Sequence, residues 1–175
     1  MAKKNLPKLD ISPIGDFLFQ EALEYGQLEP TAVGTHTCYI IHSEPEKKKP
    51  PWMSFHYRRG LELLCGISSR WEQGEAFLRG LEIDLHLLAE ALVKDPLLRD
   101  IRMLIGLSSL SAPWGRRHGF YTALYADDEK TIRRHNDSIA NNPNEGKSRL
   151  APLHLFFITP RGFIEQFYKE ELSCA

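Results

Sequence analysis

Leu78, Leu81, Leu85, Leu88 and Leu92 recur at intervals of three and four residues, the spacing that puts side chains on one face of an α-helix. Their segment opens on Ser69-Arg70-Trp71-Glu72, an S-x-x-E spacing suited to a capping box, and stops at Asp95-Pro96, where proline steers the preceding backbone out of the helix. A helix from Ser69 to Lys94 is predicted. A leucine stripe of this length needs an apolar layer to cover it, so the rest of the chain must supply one. Ile83 and Leu87 fall on the other side of the helix, with Ala76 and Ala91 beside them. That pattern predicts a helix covered on both sides, wedged between a sheet and a second helix. The alternative is that Ile83 and Leu87 meet a partner subunit, as in a homodimer.

The covering layer is legible as strands. THTCYIIH (35–42) and WMSFHY (52–57) concentrate β-branched and aromatic residues, and SEPEKKKPP (43–51) between them reads as a solvated loop. IRMLIGLSSL (101–110), GFYTALY (119–125) and LHLFFI (153–158) are three further strand segments, and NNPNEGKSR is a loop. Ser12-Pro13 opens a short helix over 13–25 that carries Ile14, Phe17, Leu18 and Ala22, and the first 12 residues read as a flexible lead-in. Asp127 or Asp128 caps a weakly amphipathic helix to about Ala140, anchored by Ile132 and Ile139. Thr159-Pro160 opens a last helix with Phe163, Ile164, Phe167 and Tyr168 on one face. Strict βαβ alternation is missing. The expectation is therefore a single compact α+β domain over 1–175, with a mixed or antiparallel sheet of about five strands packed against a long central helix and a C-terminal helix.

At 175 residues such a domain buries roughly 70% of the surface its unfolded chain exposes. Lys and Arg number 22 against 23 Asp and Glu, so no global field draws in nucleic acid or an anionic membrane. No run of 18 apolar residues and no secretory signal pattern stands in the sequence, which predicts a cytoplasmic address with Cys38, Cys65 and Cys174 reduced. Three cysteines without C-x-x-C spacing argue against a disulfide framework or a cysteine zinc cage.

The stretch 74–120, with Leu78-Arg79 opening the leucine-rich helix, Leu88-Ala89, the Asp95-Pro96 break, an apolar strand ending in Gly106 and then Gly119-Phe120, resembles the uncharacterised bacterial YkoP-like domain. Weaker likeness runs over 50–175 through Phe55-His56-Tyr57, Phe156-Phe157-Ile158-Thr159 and Phe163-Ile164. The family pattern has acidic and amide residues around the strand histidine, where this chain has Ser54 and Arg58. Because such domains stand alone or beside polysaccharide deacetylase domains, the resemblance implies an accessory role linked to envelope carbohydrate metabolism, and no particular reaction.

Candidate site residues are few. SAPWGRRHGF (111–120) sets Trp114 ahead of Arg116, Arg117 and His118, which lie between Gly115 and Gly119, a turn whose arginine forks and backbone N–H groups suit an anion. The other reading is a scaffold turn, with the arginines solvated or paired with Asp127 and Asp128. His56, on its strand, joins these four as a ligand-binding candidate. Lys130, Arg133, Arg134, Lys147 and Arg149 extend the basic residues, with Tyr121 and Tyr125 interleaved, but Asp127, Asp128, Glu129, Asp137 and Glu145 lie among them, which argues against nucleic acid. His36, Cys38 and His42 share one side of a strand and Glu82 neighbours His86 on the helix, both short of a full ligand set, so no metal and no cofactor are expected. No nucleophile elbow, phosphate loop or dinucleotide fingerprint is present. The leading function is an accessory module binding a small molecule or protein; the alternative is an enzyme on a small anionic or carbohydrate substrate with His56 or His118 moving the proton and Arg116 or Arg117 as clamp, and a second alternative is a nucleic-acid-binding protein using the basic residues of 116–149.

Overall fold

The computed structural model describes residues 11–24, 30–34, 37–44, 46, 48–57, 70–138 and 150–168. Expectations on the lead-in 1–10, His36, the Ser69 cap, Ile139, the 141–149 loop, Cys65 and Cys174 lie outside the described residues.

The leucine-lined segment is a 25-residue helix, α2 (Arg70–Lys94). Leu81, Leu85, Leu88 and Leu92 are buried against the sheet, each such side chain contributing on the order of 1.5–3 kcal/mol. Asp95 ends the helix and caps a 3-10 turn over Pro96–Leu98, its carboxylate accepting from Leu97 N.

Six strands form one mixed sheet in the order β1-β2-β3-β4-β6-β5. They are β1 (Thr31–Val33), β2 (Thr37–Glu44), β3 (Lys49–Tyr57), β4 (Leu104–Ser108), β5 (Tyr121–Ala126) and β6 (Leu153–Ile158). Every neighbouring pair is antiparallel except β3 with β4. A parallel pair needs a long crossover, and α2 lies in that connection. The sixth strand, β1, is three residues long, too short to show a period-2 pattern in sequence. The β2–β3 connection is also shorter than the predicted 43–51 loop, because β2 runs to Glu44 and β3 starts at Lys49. Proline lacks an N–H but keeps its carbonyl, and Pro51 O accepts from Arg102 N at 3.0 Å.

Register sorts the two faces. Tyr39 and Phe55 are paired across β2 and β3 and share a face, and with Met53, Leu104, Phe156 and Ile158 they form the larger core under α2 and α5 (Pro160–Phe167). Thr159 caps α5 by accepting from Gly162 N, and Phe163 and Phe167 bury its inner face. The opposite face, with Ile105 and Leu155, is covered by Leu18 of α1 (Ser12–Glu24). Next to α1 packs α4 (Glu129–Ser138), where Asp128 accepts from Thr131 N and Ile132 is buried. The sheet is thus sandwiched between helices on both faces. One expectation is corrected: α2 is not covered on both sides. It is an outer helix with α5 alongside, so Ile83 and Leu87 face outward, at 61% and 37% exposure.

The predicted turn at 111–120 is a short helix, α3 (Ala112–Arg117). Ser111 Oγ accepts from Trp114 N and Pro113 occupies the first turn, where a missing N–H is harmless. Gly115 is held by close packing, since a Cβ there would lie 2.4 Å from Phe156 Cε1. Gly119 ends the helix at φ +78°, a left-handed conformation that favours glycine.

Candidate functional site

Arg79, Glu82, Ile83 and His86 stand at i, i+3, i+4 and i+7 on α2 and therefore share one stripe. The end of α3 brings His118 to that stripe, and α5 brings Gln166 and Phe167. Together they line an open groove of about 700 Å³, within the size range of small-molecule sites. Ile83 and Phe167 give this lining its apolar side chains, and the other five residues are polar or charged.

Both groove imidazoles are oriented by backbone carbonyls. His118 Nδ1 donates to Trp114 O at 2.8 Å, and His86 Nδ1 donates to Phe167 O. A carbonyl can only accept, so Nδ1 carries a hydrogen in each ring. The His118 ring is stacked on Trp114, with centroids 4.2 Å apart, and lies parallel to Phe167. Its Nε2 stands 3.5 Å from Glu82 Oε1.

A second polar group is buried on the other face of the sheet. Cys38, His42, Ser54 and His56 point to that face by the β2–β3 register, and α1 lowers Glu21 onto them. Glu21 Oε1 lies 3.1 Å from His42 Nε2, and Oε2 lies 2.9 Å from His56 Nε2. Ser54 Oγ, fully buried, stands 2.8 Å and 3.0 Å from the same two nitrogens. Burial pushes the Glu21 carboxyl up, but hydrogen bonds from His42 and His56, and then their charges, outweigh it and leave the pKa lowered to about 2. The Trp52 ring stacks on His42 at 4.0 Å. His135 of α4 is buried nearby and stacks on Phe19, and burial is the main cause that lowers its pKa to about 4. In a serine relay the carboxylate and the hydroxyl bind opposite nitrogens of one imidazole. Here both reach the same nitrogen of each ring, so this group clamps α1 to the sheet and is no relay. Among the described residues, no group of three or more His, Cys, Asp or Glu is arranged to hold a metal ion.

The predicted site residues therefore separate. His56 belongs to the buried clamp, on the face opposite His118. Of the four at 114–118, only His118, the C-cap of α3, lines the groove. Trp114 packs against the core beside Phe120 and Phe156. Arg116 Nη1 donates to Thr122 Oγ1 at 3.3 Å, and Arg117 is exposed. Glu82 and His86, neighbours in sequence reasoning, do share the groove, whereas Arg79, Gln166 and Phe167 were not anticipated there. Glu21 and Ser54 were missed too. A glutamate on a short helix and a serine on a strand carry no local signal of a shared site. Also among the described residues, no helix is long and apolar enough to cross a membrane. No family model matches the chain, and neither a curated protein nor a solved structure does.

Proposed function

We propose that this chain is a small cytoplasmic accessory module that binds a small molecule in the groove between α2, α3 and α5. The observation that carries the reading is the meeting of His118, Glu82 and His86 with the apolar side chains of Ile83 and Phe167 in one concavity, both rings oriented by backbone carbonyls. Convergent polar groups over apolar surface are the usual make-up of a ligand site. Preorientation also lowers the entropy lost on binding. The YkoP-like grouping and its link to envelope carbohydrate metabolism belong to the same proposal, as the context in which such a module would serve. The test is a thermal-shift screen of a fragment collection, repeated on His118→Ala and Ile83→Asp. Stabilising fragments whose shift disappears in both variants support the reading. Fragments whose shift survives both refute it.

The enzyme reading draws on the same geometry, because His118 oriented beside Glu82 has the form of a proton-transfer pair. A reaction in this groove would use Arg79, not Arg116 or Arg117, as its cation. The exposure of Ile83 and Leu87 favours one further use of this surface, self-association, and light scattering of wild type against Ile83→Asp would show it as a loss of mass.

A further inference from the structure

We infer that β5 is a docking edge for a second copy of this chain, the two β5 strands pairing antiparallel about a two-fold axis so that one sheet runs through both copies. β5 closes one end of the sheet and is bonded to β6 alone. Its outer row of N–H and C=O groups therefore has no strand partner among the described residues. A solvated edge of six residues ordinarily carries lysine, proline or another charge that blocks pairing. YTALYA has none of these. It exposes Tyr121 at 78% and Leu124 at 53%, one on each face of the strand by their alternation. The opposite edge, β1, is only three residues long, the short form in which sheets leave an edge open. The break in register on β5 falls after Leu124, so Tyr121–Leu124 keep regular geometry for a further ladder.

Charge selects the occupant. Arg116 and Arg117 end α3 just before β5, and Arg116 reaches Thr122 near the start of the strand. Asp127 and Asp128 follow its other end, and all four are exposed. Among the described residues, Arg117 and Asp127 make no ion pair. Roughly 17 Å of extended strand separates the two ends, so they cannot meet within one chain. Antiparallel pairing lays the start of each strand beside the end of the other, and the two-fold axis repeats every contact. The arginines of each copy then face the aspartates of the other. A parallel arrangement would set arginine against arginine. A short ladder with exposed ion pairs at its ends lies at the small end of interface sizes, so the dimer is a transient one.

The experiment is sedimentation velocity of the full chain over a concentration series at low salt. Wild type is expected to move from monomer toward dimer as its concentration rises to the millimolar range. Arg117→Glu and Asp127→Arg each set like charges together at both ends of the interface and are expected to weaken association about tenfold. Mixing these two variants is expected to restore it, because in the mixed pair each end again joins opposite charges. Leu124→Lys puts a cation in the middle of the edge and is expected to abolish the dimer, whereas Ile83→Asp, in the groove, is expected to leave it unchanged. A wild type that stays monomeric at millimolar concentration overturns the assignment. So do single reversals without effect, a mixture that fails to associate, or a dimer lost in Ile83→Asp and kept in Leu124→Lys.

Discussion

The buried clamp permits a sharp test through Glu21→Gln, a substitution that keeps the shape and removes the charge. Glu21 is 7% exposed and its carboxyl is held at about 2 in place of 4.5. At about 1.4 kcal/mol per pH unit this difference corresponds to at most about 3.5 kcal/mol of stability at neutral pH. The sign follows from the direction of the shift. The folded value lies below the unfolded one, so the contribution is complete above about pH 4.5 and is lost as pH falls toward 2. Wild type and Glu21→Gln are compared by urea denaturation at pH 7, 5, 4 and 3. The expected gap is about 2–3 kcal/mol at pH 7, falling to less than half of that by pH 3. A gap below about 0.5 kcal/mol at pH 7, or one that stays constant down to pH 3, would refute the idea that Glu21 joins α1 to the sheet by charge.

Two other substitutions test the packing around the two polar sites. His135 is depressed from 6.5 to about 4 by burial, so its contribution is present above about pH 6.5 and is lost as pH falls to 4; in His135→Phe the wild-type decline across that window should shrink by up to about 3 kcal/mol, and an unchanged decline counts against the burial argument. Gly115→Ala places a Cβ against the Phe156 ring and Thr122 and should lower stability by about 1–3 kcal/mol in thermal or urea unfolding, with a neutral result showing that α3 can shift away.

Elements that carry their own local signal were legible from the residues. The leucine spacing and Asp95-Pro96 mark α2, Thr159-Pro160 marks α5, and LHLFFI marks β6 residue for residue, because periodicity, capping and proline sterics are local. The turn at 111–120 shows where locality stopped. Ser111 and Pro113 were a helix start in plain view, yet the glycines drew the reading to a turn. Gly115 is a glycine because Phe156, far along the chain, packs against it.

What the sequence by itself determined is an α+β chain with a leucine-lined helix and near-zero net charge. Tertiary structure alone decided which helix face stays open, and that Glu82 and His86 meet His118 while His56 meets Glu21 across the sheet. Covalent spacing sets which side chains share a face of one helix or strand. Which faces then meet depends on register and on the crossover between β3 and β4, and those are set by the packing of the whole core.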